Sequence, residues 1–212
     1  MNCPICEQRK SRRFCPARGE SICSVCCGTE REVTIDCPPD CVHLKESRRY
    51  EARMPLRKPE NLPFGEVRIP SSFLSTHHEL ILALSHAICA FARDHRELTD
   101  TDAIAALESL ATSYQTLSGG VYYEKPPIRP LQRGLYDALK EEIQRFDRAQ
   151  QQSGSLGGVR NAEVRDLLIV LTQAGAAHHN GRPLCRAYLD LLRSQFKASE
   201  FGPSASELIV IP

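Results

Sequence analysis

No stretch of this sequence approaches the roughly 18 consecutive apolar residues that a membrane-spanning helix needs, so no transmembrane segment is expected. The chain starts Met1-Asn2-Cys3 with neither the basic nor the apolar region of a secretory signal, and a cytoplasmic location is expected. Formal net charge is only +1, which gives no global bias toward nucleic acid or an anionic membrane surface. There is no phosphate-binding Gly-Lys-Ser/Thr loop and no dinucleotide fingerprint; Gly157-Gly158 sits in a linker without that context. His77, His78 and Glu79 do not make a His-Glu-x-x-His zinc site, because the second histidine four residues on is missing. No internal repeat of solenoid period is found. With no catalytic signature, an enzyme is not expected.

What the sequence has is cysteine, eight of ten falling in the first 43 residues. They form four groups: Cys3-Pro4-Ile5-Cys6, Cys15-Pro16-Ala17-Arg18-Gly19, Cys23-Ser24-Val25-Cys26-Cys27-Gly28, and Cys37-Pro38-Pro39-Asp40-Cys41. Without export, paired thiols in a reducing cytosol are expected to bind metal, not each other. Cys-x-x-Cys turns present two sulfurs to one tetrahedral zinc, and Cys3/Cys6 and Cys23/Cys26 have that spacing. Cys37/Cys41 is one residue longer. Ferredoxin-type iron–sulfur runs do not match. Proline after Cys3, Cys15 and Cys37 restricts the backbone beside the ligand, and Gly19 and Gly28 are placed to take a turn-closing positive φ.

Arg18 stands where the second group would carry its second ligand, leaving Cys15 short of a partner and Cys27 as the surplus thiol nearby. In an extended segment Cys26 and Cys27 would point to opposite sides and serve different ions, so eight cysteines would make two sites. His43 in place of Cys27, or a single zinc, are the alternatives. All-cysteine sites leave no position open for water and act as structure. With few aliphatic residues, this segment is expected to draw its folding energy from zinc.

The order of these groups resembles cross-brace zinc fingers of the HIT-type and B-box kind, over residues 3 to 43 only. In those families the first and third groups share one ion, and the second and fourth share the other. The resemblance therefore implies that Cys3, Cys6, Cys23 and Cys26 hold one zinc, and that Cys15, Cys27, Cys37 and Cys41 hold a second. It also implies a protein-interaction module.

Residues 1–58 carry 12 Lys/Arg against 8 Asp/Glu, and the rest of the chain 15 against 18. Two zinc ions with four thiolates each would cancel the N-terminal excess. The clusters Arg9–Arg13 and Lys45–Lys58 are therefore read mainly as solvated faces, with nucleic-acid binding as the alternative to a protein partner.

Residues 43–53 read as a short exposed helix, contacting the finger through Leu44 and Tyr50. Prolines at 55, 59, 63 and 70 mark residues 54–70 as a linker whose Leu62, Phe64, Val67 and Ile69 can lie along a neighbouring surface. Five helices are then expected: one long helix from a Ser71 or Ser72 cap to Glu97, one from Thr99 to Gly119, one from Leu131 through Phe146, one around Val164–Leu171, and one starting on Pro183. A Gly/Ser/Gln loop at 150–161 and an extended tail at 208–212 complete the chain. The expected fold is a small zinc-stabilised finger (residues 1–53), the linker, and a mainly α domain (residues 71–212) forming an antiparallel bundle of about five helices. Cys89 and Cys185 read as buried thiols, and His178-His179 as exposed. Tyr122-Tyr123 beside Pro126-Pro127 is a candidate peptide-binding patch, weighed below simple packing across the bundle end.

Overall fold

The three-dimensional structure, a computed structural model, describes residues 1–54, 62–120, 123–152 and 158–201. Over these residues it is mostly helical, with one two-stranded hairpin near the N-terminus. Strands β1 (Arg13–Cys15) and β2 (Glu20–Ile22) pair antiparallel, with Phe14 opposite Ser21. Gly19 closes their turn at φ 67°, in the left-handed region that side chains disfavour. Helices α1 (Ser24–Glu30) and α2 (Val42–Glu51) follow. The core of this segment is Cys3, Cys15, Ile22, Cys23, Cys26 and Ile35, so four of its six buried residues are thiols. Burial on that scale does not hold a fold without a staple.

Six more α-helices follow among the described residues: α3 (Ser71–Thr76), α4 (His78–Asp94), α5 (Asp100–Ser118), α6 (Pro130–Gln152), α7 (Asn161–His178) and α8 (Ala187–Arg193). α5 packs on α6 and α7, while α4 packs on α6 and α8. Leu84, Ile88, Leu107, Leu135, Leu139 and Leu167 lie in the larger core between them, as helical periodicity predicts. Phe64, Val67 and Ile69 lie along that core, and Gln173 Nε2 donates to the Phe64 carbonyl at 2.8 Å.

Local signals place several helix ends. Thr99 caps α5 and exchanges hydrogen bonds with Asp102 in a capping box, and Gly119-Gly120 ends the helix. α6 starts on Pro130, where a missing N–H is harmless.

Other ends differ from the sequence reading. The long helix expected from Ser71 breaks at His77, whose backbone leaves the helical region at φ −109°, ψ 20°. Ser75 and Thr76 hydroxyls donate back to the Ser71 and Ser72 carbonyls, a pattern that bends helices, and the cap is Pro70, not Ser71 or Ser72. The last helix starts at Ala187, not Pro183, because tertiary hydrogen bonds claim Leu184 N–H and the Cys185 carbonyl. Leu44 is buried as expected, but Tyr50 is exposed. His178 is half-buried on α7, its ring bonded to the Ala174 carbonyl, and His179 is half-buried beside it. Tyr123 is exposed, whereas Tyr122, the linker at 55–61, the loop at 153–157 and the tail at 208–212 lie outside the described residues.

Candidate metal centre

The first knuckle is a tight turn. Glu7 N–H donates to the Cys3 carbonyl at 2.7 Å, and Glu7 takes φ 54° where a glycine would be the easier residue. Cys3 N–H reaches the Arg9 carbonyl at 2.7 Å, pinning the turn to the strand-like segment ahead of β1. Cys23 caps α1: its sulfur accepts from Cys26 N–H at 3.3 Å. Cys26 sits in the first turn of the same helix, so capping itself puts two thiols on one side.

These two pairs converge. The sulfurs of Cys3, Cys6, Cys23 and Cys26 all lie within 4.8 Å of one another, with Cys6 Sγ 3.9 Å from Cys23 Sγ. A tetrahedron with Zn–S bonds of about 2.3 Å has sulfurs about 3.8 Å apart, so this donor set fits zinc. Cys3, Cys23 and Cys26 are buried and Cys6 is half-buried.

The thiols are electrostatically unequal. N–H groups of Arg9 and Gln8 bring Cys6 down to about 6. Burial opposes ionisation of Cys3, yet N–H donors from Cys23, Cys6 and Ile5 outweigh it and lower its pKa. Burial, followed by the neighbouring thiols of Cys23, Cys6 and Cys3, pushes Cys26 up to about 12. Four adjacent thiolates repel one another; a divalent cation among them removes that conflict. Since every donor is a thiol, a zinc held here has no open position for substrate.

The other four cysteines form no group of this kind among the described residues. Cys15 is buried at the end of β1, and Cys41 stands at the N-cap position of α2 without a side-chain capping hydrogen bond. Cys37 has its pKa raised, by burial first and then by the neighbouring thiols of Cys41 and Cys15 after an opposing contribution from the Glu32 backbone. Cys27 receives an Arg31 guanidinium hydrogen at 3.8 Å. His43 Nδ1 lies 3.3 Å from the Glu46 carboxylate. The segment at Cys26-Cys27 is helical, not extended, so these neighbours diverge by the roughly 100° step of a helix. Gly28 lies within α1 and closes no turn.

Sequence reasoning missed Glu32. It is 2% exposed and sits at φ 53°, between α1 and α2. Arg48 Nη2 donates to its carboxylate at 2.6 Å, and Asn180 Nδ2 donates to the other oxygen at 3.0 Å. Leu184 N–H reaches its carbonyl at 2.9 Å. Arg48 also bonds Asp190 and the Arg186 carbonyl, Arg186 bonds Asp36, and Arg182 bonds the Arg31 and Gly28 carbonyls. The cysteine-rich segment is thereby clamped to residues 180–190. Arg48 is thus no part of a solvated cluster, as the run from Lys45 to Lys58 suggested. Arg9, Lys10 and Arg12 are exposed, as read.

No family model, curated protein or solved structure matches this chain. Among the described residues no helix is long and apolar enough to cross a membrane.

Proposed function

We propose that this chain is a zinc-binding interaction protein whose finger binds a partner protein. The observation that carries the reading is the convergence of Cys3, Cys6, Cys23 and Cys26 into a closed, all-thiol set. Such a site stabilises a surface and performs no chemistry of its own. That surface offers Phe14, 62% exposed, with Val25 and Val33 also exposed on the same small segment. Exposed aromatic and aliphatic side chains on a rigid scaffold are what protein interfaces use as anchors.

The finer reading follows the cross-brace resemblance. A second zinc is held by Cys15, Cys27, Cys37 and Cys41, with His43 in place of Cys27 as the variant. The finger spans residues 1–53, residues 54–70 link it to an antiparallel helical bundle over 71–212, and the protein works in the cytoplasm. Support for the second ion comes from the electrostatic proximity of Cys37 to Cys41 and Cys15.

One observation favours nucleic acid as the second reading: Phe14 is exposed in a segment whose Arg9, Lys10 and Arg12 are exposed too. Aromatic stacking beside cations suits single strands. Capture on the tagged full chain, with and without nuclease, separates the two. A protein retained after nuclease, and lost with Cys23→Ser, supports the proposal. Material lost to nuclease or moderate salt overturns it in favour of nucleic acid. An empty capture overturns both.

A further inference from the structure

A cleft of about 630 Å³ opens where the cysteine-rich segment meets the helices. Its walls come from the loop at 36–40, α2, the end of α4, and α8. That volume lies within the roughly 300–1,000 Å³ of small-molecule sites. Five arginines and three aspartates line it, and Glu32 and Asp94, just outside the lining, pair with two of those arginines, so the formal charges balance.

Most of these charges are already engaged. Arg48 is held by Glu32 and Asp190, and Arg186 by Asp36 and the Leu98 carbonyl. Arg93 bonds Asp94 and the Phe201 carbonyl. Arg96 and Arg193 form no salt bridge or side-chain hydrogen bond among the described residues, although both line the cleft. Part of their charge answers the C-terminal dipoles of α4 and α8, which favour cations. The dipole of α8 accounts for Arg193 in its last turn, whereas α4 has Arg93 in its last turn and Arg96 lies two residues beyond its end. Both face one concavity, in which Arg193 also acts electrostatically on Asp190. Pro38 and Ala92, half-buried, and Pro39, exposed, supply an apolar wall beside them.

We propose that this cleft binds a phosphorylated small molecule, with Arg96 and Arg193 on the phosphate and the apolar wall against the organic part. A phosphate monoester carries about −1.5 to −2 charge near neutral pH, which the two arginines outside the cleft's ion pairs would meet. The guanidinium fork suits its oxygens. Because both segments contribute walls, occupancy tightens their contact and stabilises the whole chain.

The test is calorimetric titration of the zinc-loaded full chain with AMP, with adenosine and inorganic phosphate as partial probes and a phosphotyrosine peptide as competitor class. AMP is expected to bind, adenosine not to bind, and inorganic phosphate to bind more weakly than AMP. Both arginines are exposed, so Arg96→Ala/Arg193→Ala should keep its zinc and its unfolding midpoint while losing affinity by about tenfold or more. Arg193→Glu should lose at least as much. Absence of AMP binding at millimolar concentration overturns the proposal, as does equal affinity in the double variant. Preference for the phosphopeptide over AMP overturns it too, by assigning the cleft to a protein partner. Phosphate binding equal to AMP overturns the role of the apolar wall.

Discussion

Arg48 and Glu32, 16 residues apart in the chain, meet with Nη2 2.6 Å from Oε1 and with Glu32 almost wholly removed from water. This pair joins α2 to the turn after α1 and, through Asp190 and Asn180, to the far end of the chain. Burial opposes the charge on Arg48, but Asp190 and Glu32 outweigh it and raise its pKa. Its Nε remains buried without a partner, so the clamp is incompletely satisfied even when intact.

Removing Glu32 leaves half-buried Arg48 ion-paired with Asp190 alone among the described residues and takes from Asn180 its acceptor on Glu32. Glu32→Ala is expected to destabilise the zinc-loaded chain by about 3 kcal/mol or more in denaturant unfolding. Arg48→Met alone should cost at least as much, because it strands Glu32 and takes the Arg48 partner from Asp190. A loss below about 1 kcal/mol for Glu32→Ala would show that water solvates this site.

Metal content is a direct check on the four-thiol cluster. Native mass spectrometry of the full chain should find at least one zinc. Chelation should abolish amide protection around Ile22 and Ile35, which share a core with the thiols. Cys3→Ser or Cys23→Ser should do the same, while far-ultraviolet helical signal from α4 to α7 largely survives. Loss of both signals together would mean that the helices depend on the finger.

Asp100 gives a pH dependence. It is fully buried and accepts from Tyr188 N–H at 3.0 Å, Leu189 N–H at 3.1 Å and the Cys185 thiol at 3.2 Å, tying the start of α5 to α8. Burial raises its pKa above the ordinary 3.8, more than those donors lower it. The folded chain therefore takes up this proton before the unfolded chain does. The corresponding stabilisation is complete below 3.8 and is lost as pH rises through the folded value. Relative to Asp100→Asn, the wild type should gain stability as pH falls from neutral toward that range. Zinc release affects both chains and cancels in the difference. Parallel profiles would refute the sign.

Gly175 tests the contact of α7 with α5 and α8. A Cβ there would meet Ile104 Cγ1 at 2.8 Å and the Tyr188 ring at 3.2 Å. Alanine gains up to about 1 kcal/mol of helix propensity over glycine, but overpacking typically costs about 1–3 kcal/mol. Gly175→Ala should lower the unfolding midpoint; a raised midpoint would mean that the three helices separate easily.

The sequence by itself determined what depends on near neighbours. Cys-x-x-Cys spacing made the knuckle at Cys3 and Cys6, and Thr99, Gly119 and Pro130 set helix ends, because caps and turns act within a few residues. Aliphatic periodicity likewise marked the faces of α4 to α7. The tertiary structure decided the rest. That Cys3/Cys6 meets Cys23/Cys26 needs the hairpin between them to fold back, which spacing alone could only suggest by resemblance. The late start of α8 and the burial of Glu32 and Arg48 depend on bonds between residues 85 to 154 apart. No local pattern separates a carboxylate that will be clamped from one that will face water. Only the approach of the two segments removes that water and makes the pairing favourable.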